Sequence, residues 1–281
     1  MDGPQTQNPS MPRLSPDDTR LIVSRFEGQR GSNDLWLSDL TSGNDTRFTF
    51  DPATDLDAVW SGDGSHIAWC SNREGQYDLY QRAANGEGKD ELLCRSEYPK
   101  HPTDWSRDGR FIIYQQPDPK TRADVWAIPV ASKGGDQKPI AILQTAANEG
   151  AAVLSPDGQW IAYISDESGE YEVYVEIFPT GGGKRQVSAG GGQAPLWRAD
   201  GKELFYHAKD GNLMAVRVKL GPRFEASKPE PLFAFRAGGI RFIPYYSVTS
   251  DGQRFLLSTI VGTDTTTPLT VMVNWSADLP R

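Results

Sequence analysis

Long apolar runs are missing from this chain. No stretch approaches the roughly 20 residues that a membrane-spanning helix needs, and Met1 to Pro12 has no apolar core like that of a secretory signal. As it stands, the sequence reads as soluble and carries no address. Cysteine is almost missing too, with only Cys70 and Cys94 present. They fall on the second and fourth strands of one repeat, and strands two apart lie roughly 9–10 Å from each other, beyond the reach of a disulfide. Two free thiols are expected, with burial favoured over reactivity. Positive charge is outweighed by negative: the net charge is −8 and the pI near 5.0. That balance argues against nucleic acid, and against an anionic membrane surface, because both call for a basic face. Helical periodicity of useful length is absent. So are the spacings that announce catalysis or phosphate binding: there is no Gly-x-Ser-x-Gly, no His-Glu-x-x-His, no EF-hand loop and no Walker loop.

What the chain does have is turns. Its 281 residues include 28 Gly and 20 Pro beside 8 Trp and 10 Tyr, a composition suited to many short strands. The stretch from Ser155 to Glu176 shows the unit. Ser155, Pro156, Asp157 and Gly158 form a turn, with Pro where its fixed φ is wanted and Gly where positive φ is cheap. Trp160 to Ile164 and Tyr171 to Val175 are β-branched and aromatic runs, joined as a hairpin by Glu167 to Glu170. The turn recurs with Asp17, Asp63, Asp108, Asp157, Asp200 and Asp251 at its third position. Successive copies are 43 to 51 residues apart, a period in the range of four-stranded propeller blades.

The expected fold is therefore all-β, a six-bladed β-propeller of four-stranded antiparallel blades over 14–281, after an N-terminal tail at 1–13. Third strands often open with an acidic, a small apolar and an aromatic residue, as in Asp34 to Trp36, Asp78 to Tyr80, Asp124 to Trp126 and Glu172 to Tyr174. The sixth unit stops after a third strand at Leu269 to Val273. Either the last blade is incomplete or its closing strand lies upstream of this chain. The second reading is favoured, because Pro4, Pro9 and Pro12 make the tail a poor strand.

Several conspicuous residues have a structural explanation. Each turn aspartate reads as a cap on nearby backbone N–H groups. Trp60, Trp105 and Trp197 hold one repeat-fixed position and read as packing between neighbouring blades. The runs Gly181 to Gly183 and Gly190 to Gly192 open no helix and read as turns. His66, His101 and His207 lie in different units. No catalytic residue, metal or cofactor is expected. What remains is position: loops leading into first strands and loops joining second to third strands share one face and the mouth of the central channel. On that face Asp57, Arg73, His101, Glu149, Glu167, Arg241 and Tyr245 are the expected ligand-binding residues.

The segments Trp105 to Phe111, Ser155 to Tyr163, Glu172 to Val175, Phe178 to Lys184 and Asp200 to Tyr206 resemble the TolB-type, WD-repeat-like propellers of bacteria. More narrowly, from about Leu14 onward the chain is similar to the C-terminal propeller of bacterial eukaryotic-like serine/threonine kinases. Asp200 to Tyr206 and the closing Val273, Asn274 and Trp275 carry that narrower match. The resemblance implies a six-bladed propeller held outside the cytoplasmic membrane, in the periplasm, behind a kinase domain and one membrane span, as a sensor or interaction module. No kinase motif is present, so no kinase residue is carried over. Asp18 in place of Gly and Arg198 in place of Ser depart from the turn pattern.

The main expectation is thus a non-enzymatic, monomeric module that binds a protein, peptide or cell-envelope ligand through its loop face, without nucleic acid and without inserting into a membrane. The alternative is a hydrolase or lactonase with a metal or carboxylate site at the channel mouth, built from Asp57, His101 and Glu149. A third reading makes the propeller the non-catalytic half of a prolyl-oligopeptidase-like peptidase.

Overall fold

The structure is a computed structural model that describes residues 5–6, 12–28, 30–130, 138–236, 245–258 and 267–272, the first and last of these by their backbone. The chain opens with β1 (Gln5–Thr6). Blade one follows as β2 (Arg13–Leu14), β3 (Arg20–Glu27), β4 (Ser32–Asp39) and β5 (Asp45–Arg47). Blade two is β6 (Asp55–Trp60), β7 (His66–Ser71), β8 (Asp78–Ala83) and β9 (Glu91–Cys94). Blade three is β10 (His101–Trp105), β11 (Phe111–Asp118), β12 (Arg122–Pro129) and β13 (Ile140–Leu143). Blade four is β14 (Glu149–Leu154), β15 (Trp160–Ser165), β16 (Glu172–Ile177) and β17 (Arg185–Gln186). Blade five is β18 (Gly192–Trp197), β19 (Glu203–Ala208), β20 (Asn212–Lys219) and β21 (Glu225–Ala226), with β22 (Glu230–Ala234) also pairing β20. Last come β23 (Tyr246–Val248), β24 (Phe255–Ser258) and β25 (Thr267–Met272).

The expected count of six blades is corrected to five. Among the described residues five sheets are blades whose strands follow one another in the chain, antiparallel throughout, and the four-stranded blade stands. The sixth copy of the turn heads only β23, β24 and β25, and these are joined by β1, Gln5 pairing Pro268 and Thr6 pairing Thr267. A turn motif marks where a strand pair begins and does not ensure that four strands follow it in the chain; here the fourth strand of that sheet comes from the N-terminal end. The same pairing gives β25 its outer neighbour from within the chain, which corrects the expectation of a closing strand from upstream. Gln5 and Thr6 bring their own N–H groups, so the prolines around them do not prevent a two-residue ladder.

Blades associate through apolar faces. Ile22 and Leu35 of blade one pack with Trp60, Ile67, Trp69 and Tyr80 of blade two, all buried. Trp60 and Trp197 also reach into the preceding blade, donating Nε1–H to the carbonyls of Arg13 (3.0 Å) and Val153 (3.2 Å). The packing reading of these tryptophans holds. Each blade begins with its innermost strand, and β10 lies against both β6 and β14, so these strands line the central channel. Where β2 meets β23, Ser247 Oγ donates to the Pro12 carbonyl at 2.6 Å.

The turn aspartates are caps, as expected. Asp63 accepts from Ser61 Oγ at 2.6 Å and from Ser65 N at 3.0 Å, and Asp108, Asp157 and Asp251 repeat the bracket. In the fifth copy Arg198 replaces the serine and donates to Asp200 through Nε at 2.7 Å. Asp18 takes the left-handed φ of 59° that Gly takes elsewhere, and its carboxylate accepts from Ser250 N and Oγ, tying the first turn to the last. The acidic residues that open third strands are buried latches: Asp34 pairs with Arg47 at 2.5 Å, and Asp78 with Lys100 at 3.3 Å. Cys70 and Cys94 are free and buried, as the strand spacing predicts. Among the described residues no helix is long and apolar enough to cross a membrane.

Candidate functional site

Two places on the loop face bring unlike residues together. The first is at the channel mouth. The innermost strands of blades two, four and five each carry a bulge, between Leu56 and Val59, Gly150 and Val153, and Gln193 and Leu196. A residue in left-handed φ sits in each: Asp57 at 57°, Ala151 at 49° and Ala194 at 55°. Two blades make this bulge with alanine, so the backbone does not need a carboxylate there. Asp57, buried, uses its own to bridge blades, with Oδ2 2.7 Å from His101 Nδ1 at the start of β10. Cys70, on the neighbouring strand β7, lies behind the pair, its Sγ 3.6 Å from Asp57 Oδ2 and 3.7 Å from His101 Nδ1. Burial and then the Asp57 charge push the Cys70 thiol well up. The His101 ring packs on Tyr77 with centroids 5.4 Å apart, and the side chain remains 27% exposed.

The second place is a cleft of about 600 Å³ between blades four and five. Its walls include the half-buried rings of Tyr171 and Phe235, and its rim carries Glu170, Lys209, Asp210 and Arg236. Glu170 and Lys209 form an ion pair across the rim. Inside, His207 is held by Tyr245 Oη at Nδ1, and burial pulls its imidazole below the usual histidine range. Gln193 also lines the cleft, and its buried Oε1 has no hydrogen-bond partner among the described residues. Gly191 and Gly192 line one wall without forming a phosphate cradle, because Gly191 N–H is taken by Glu172 Oε1 at 3.0 Å.

Measured against these two places, the residues singled out from sequence divide. Asp57 and His101 meet, and Tyr245 supports the cleft from a buried position. Glu149 does not join the channel pair. It is buried within its own blade, hydrogen-bonded to Thr145, and burial raises its carboxyl. Arg73 is tied into blade two, pairing with Asp90 at 2.6 Å and Asp55 at 3.4 Å and lying over the Tyr80 ring at 4.3 Å. Glu167 pairs with Lys184 and borders a separate hollow of about 520 Å³ with Arg122 and Thr145. Arg241 lies outside the described residues. Sequence reasoning missed Cys70 as a neighbour of Asp57, and His207, Gln193 and Phe235 as cleft residues. The first was legible in principle, because Cys70 faces Leu56 across a strand pair.

Residues 5–134 match the family model described as "TolB beta propeller domain". The uncharacterized protein Atu1656 of Agrobacterium fabrum is 24% identical over 208 residues, covering 69% of this chain and 67% of that protein. The uncharacterized peptidase YuxL of Bacillus subtilis is 24% identical over 208 residues, covering 58% of this chain and 31% of the peptidase. TolB from Acinetobacter baumannii superposes with a TM-score of 0.72 at 14% identity, over 92% of this chain and 62% of that one. The chain thus spans about a third of YuxL and under two thirds of that TolB. The fold is a TolB-like β-propeller.

Proposed function

We propose that this chain is a non-enzymatic interaction module that takes a peptide or an exposed protein segment into the cleft between blades four and five. The observation that carries the reading is the cleft itself. It is open, walled by Tyr171 and Phe235, rimmed by charges of both signs, and contains a buried acceptor, Gln193 Oε1, without a donor among the described residues. An apolar side chain against the rings, with a backbone or amide N–H reaching Gln193, fits those features. The TolB-like fold supports a role in protein interaction. We extend the reading to a sensor held outside the cytoplasmic membrane, of the kind the kinase-linked propellers suggest.

The test is selection of a random displayed-peptide library on the purified chain, with affinities then measured for the wild type, Lys209→Glu and Glu170→Lys. Binders are expected to lose about tenfold in affinity when the rim charges are reversed, the scale of one or two polar contacts. Affinities unchanged in both variants would remove the cleft from consideration. The hydrolase reading retains one favourable observation, the Asp57–His101 pair at the channel mouth. Its third member, Glu149, is engaged by Thr145 instead.

A further inference from the structure

We infer that Asp57, Cys70 and His101 form a site for one divalent cation of the zinc type at the mouth of the channel. The inference is independent of the peptide cleft. Three different donor atoms, Asp57 Oδ2, Cys70 Sγ and His101 Nδ1, converge from β6, β7 and β10, and they lie within 4.8 Å of one another.

The distances fit a shared ion. Ligand atoms arranged tetrahedrally around zinc, with bonds of about 2.0–2.3 Å, stand about 3.3–3.6 Å apart. The two distances from Sγ are 3.6 and 3.7 Å. Only the hydrogen-bonded Oδ2 to Nδ1 distance of 2.7 Å must open, by roughly half an ångström or slightly more to reach the tetrahedral spacing. A partly exposed imidazole at the first residue of a strand can make that movement by side-chain rotation.

The chemistry fits as well. A thiolate, a carboxylate and a neutral imidazole sum to two negative charges, so a divalent ion leaves the buried site neutral. Thiolate and imidazole select zinc, cobalt or a similar borderline ion over magnesium and calcium, which prefer oxygen alone. Binding breaks the Cys70 S–H bond and forms the S–metal bond, releasing one proton to solvent. The neutral imidazole carries its proton on Nε2, leaving Nδ1 to bind. Tyr77 packs on the ring and supports its orientation. The same bulge in blades four and five carries Ala151 and Ala194, so folding alone does not account for a carboxylate at 57. No fourth donor joins the cluster among the described residues. Three protein ligands leave one position for water or a small ligand entering from the channel mouth.

The experiment is a titration of the reduced, metal-stripped chain with Co²⁺, followed by displacement with Zn²⁺. The expected result is one cobalt per chain, an intense near-ultraviolet thiolate-to-cobalt band and the visible absorption of a four-coordinate ion. Cys70→Ser should abolish the near-ultraviolet band and weaken binding at least about tenfold. Cys94→Ser should keep both, since Cys94 is outside the cluster. His101→Gln, at a partly exposed position, should keep a thiolate band at high cobalt but bind at least about tenfold more weakly. Should Cys70→Ser fail to fold, His101→Gln decides alone: unchanged affinity overturns the site and weakened affinity supports it. No cobalt uptake by the wild type, or a near-ultraviolet band that survives Cys70→Ser, overturns it as well.

Discussion

The two faces of this propeller are made by the same strands, yet one repeats itself and the other does not. On the turn face, Ser61 and Asp63 form a hydrogen-bonded bracket that recurs at Ser106 and Asp108, at Ser155 and Asp157, and at Thr249 and Asp251. Where the serine is lost, Arg198 supplies a donor to Asp200 instead. On the loop face, equivalent positions carry Asp57 in one blade and Ala151 or Ala194 in others. The hollows there are lined by residues from neighbouring blades that share no pattern. A contact repeated around the ring is explained by folding, whereas a polar residue that sister blades replace with alanine is one the fold does not require. The turn face therefore carries stability, and the loop face has room for recognition.

The comparison can be broken most sharply at Gly62. A Cβ there would stand 2.2 Å from the carbonyl oxygen of Arg107 in the next turn. Gly62→Val is expected to cost about 3 kcal/mol, because backbone must move to relieve the clash. Urea unfolding measures this, and a loss below about 0.5 kcal/mol would mean that the blades are not held at that spacing.

Next in size is Asp104, which lies between the faces on the channel wall. Its carboxyl is pushed up to about 6, first by burial, against the opposing pull of its hydrogen bond from Leu154 N and the charge of Arg13. Because the folded form keeps its proton to higher pH than the unfolded chain, the contribution of Asp104 is most favourable below about pH 4. It declines as pH rises through about 6, by an amount on the order of 2 kcal/mol. The difference in unfolding free energy between the wild type and Asp104→Asn should shift by that amount between pH 4 and 7. A difference independent of pH would show an ordinary carboxyl.

Removing one bracket has a smaller effect. Asp63→Ala leaves Ser61 Oγ and Ser65 N without their acceptor, at a cost of about 1 kcal/mol in thermal or urea unfolding. Peptide affinity should not change. The smallest expected effect on stability is at the cleft rim, where Lys209→Glu alters an exposed ion pair and should shift unfolding by less than about 0.5 kcal/mol. A cleft variant that destabilised the chain more than Asp63→Ala would erase the distinction between the faces.

The blade was legible in the sequence because its determinants are local. The turn at Ser155 to Gly158, the runs on either side and the hairpin that follows lie within one window of chain, and the structure places β15 and β16 there. The number of blades was not legible in the same way. The last turn looks like its sisters, but the sheet it heads takes its fourth strand, β1, from the other end of the chain. The candidate sites were half legible. Strand polarity put Asp57 and His101 on the same face, and the structure joins them. Glu149 carried the same promise, and Thr145 took its carboxylate instead.

By itself the sequence determined the all-β repeat, the capped turns, the packing tryptophans and the two free thiols, since turn chemistry, alternation and strand spacing act over a few residues. Only the tertiary structure decided that Gly62 must be bare beneath Arg107, that His207 and Tyr245 share a cleft, and that Cys70 completes a cluster with Asp57 and His101. Each of these depends on how far one blade turns against the next. That rotation is set by packing among residues distant in the chain, and no local pattern records it.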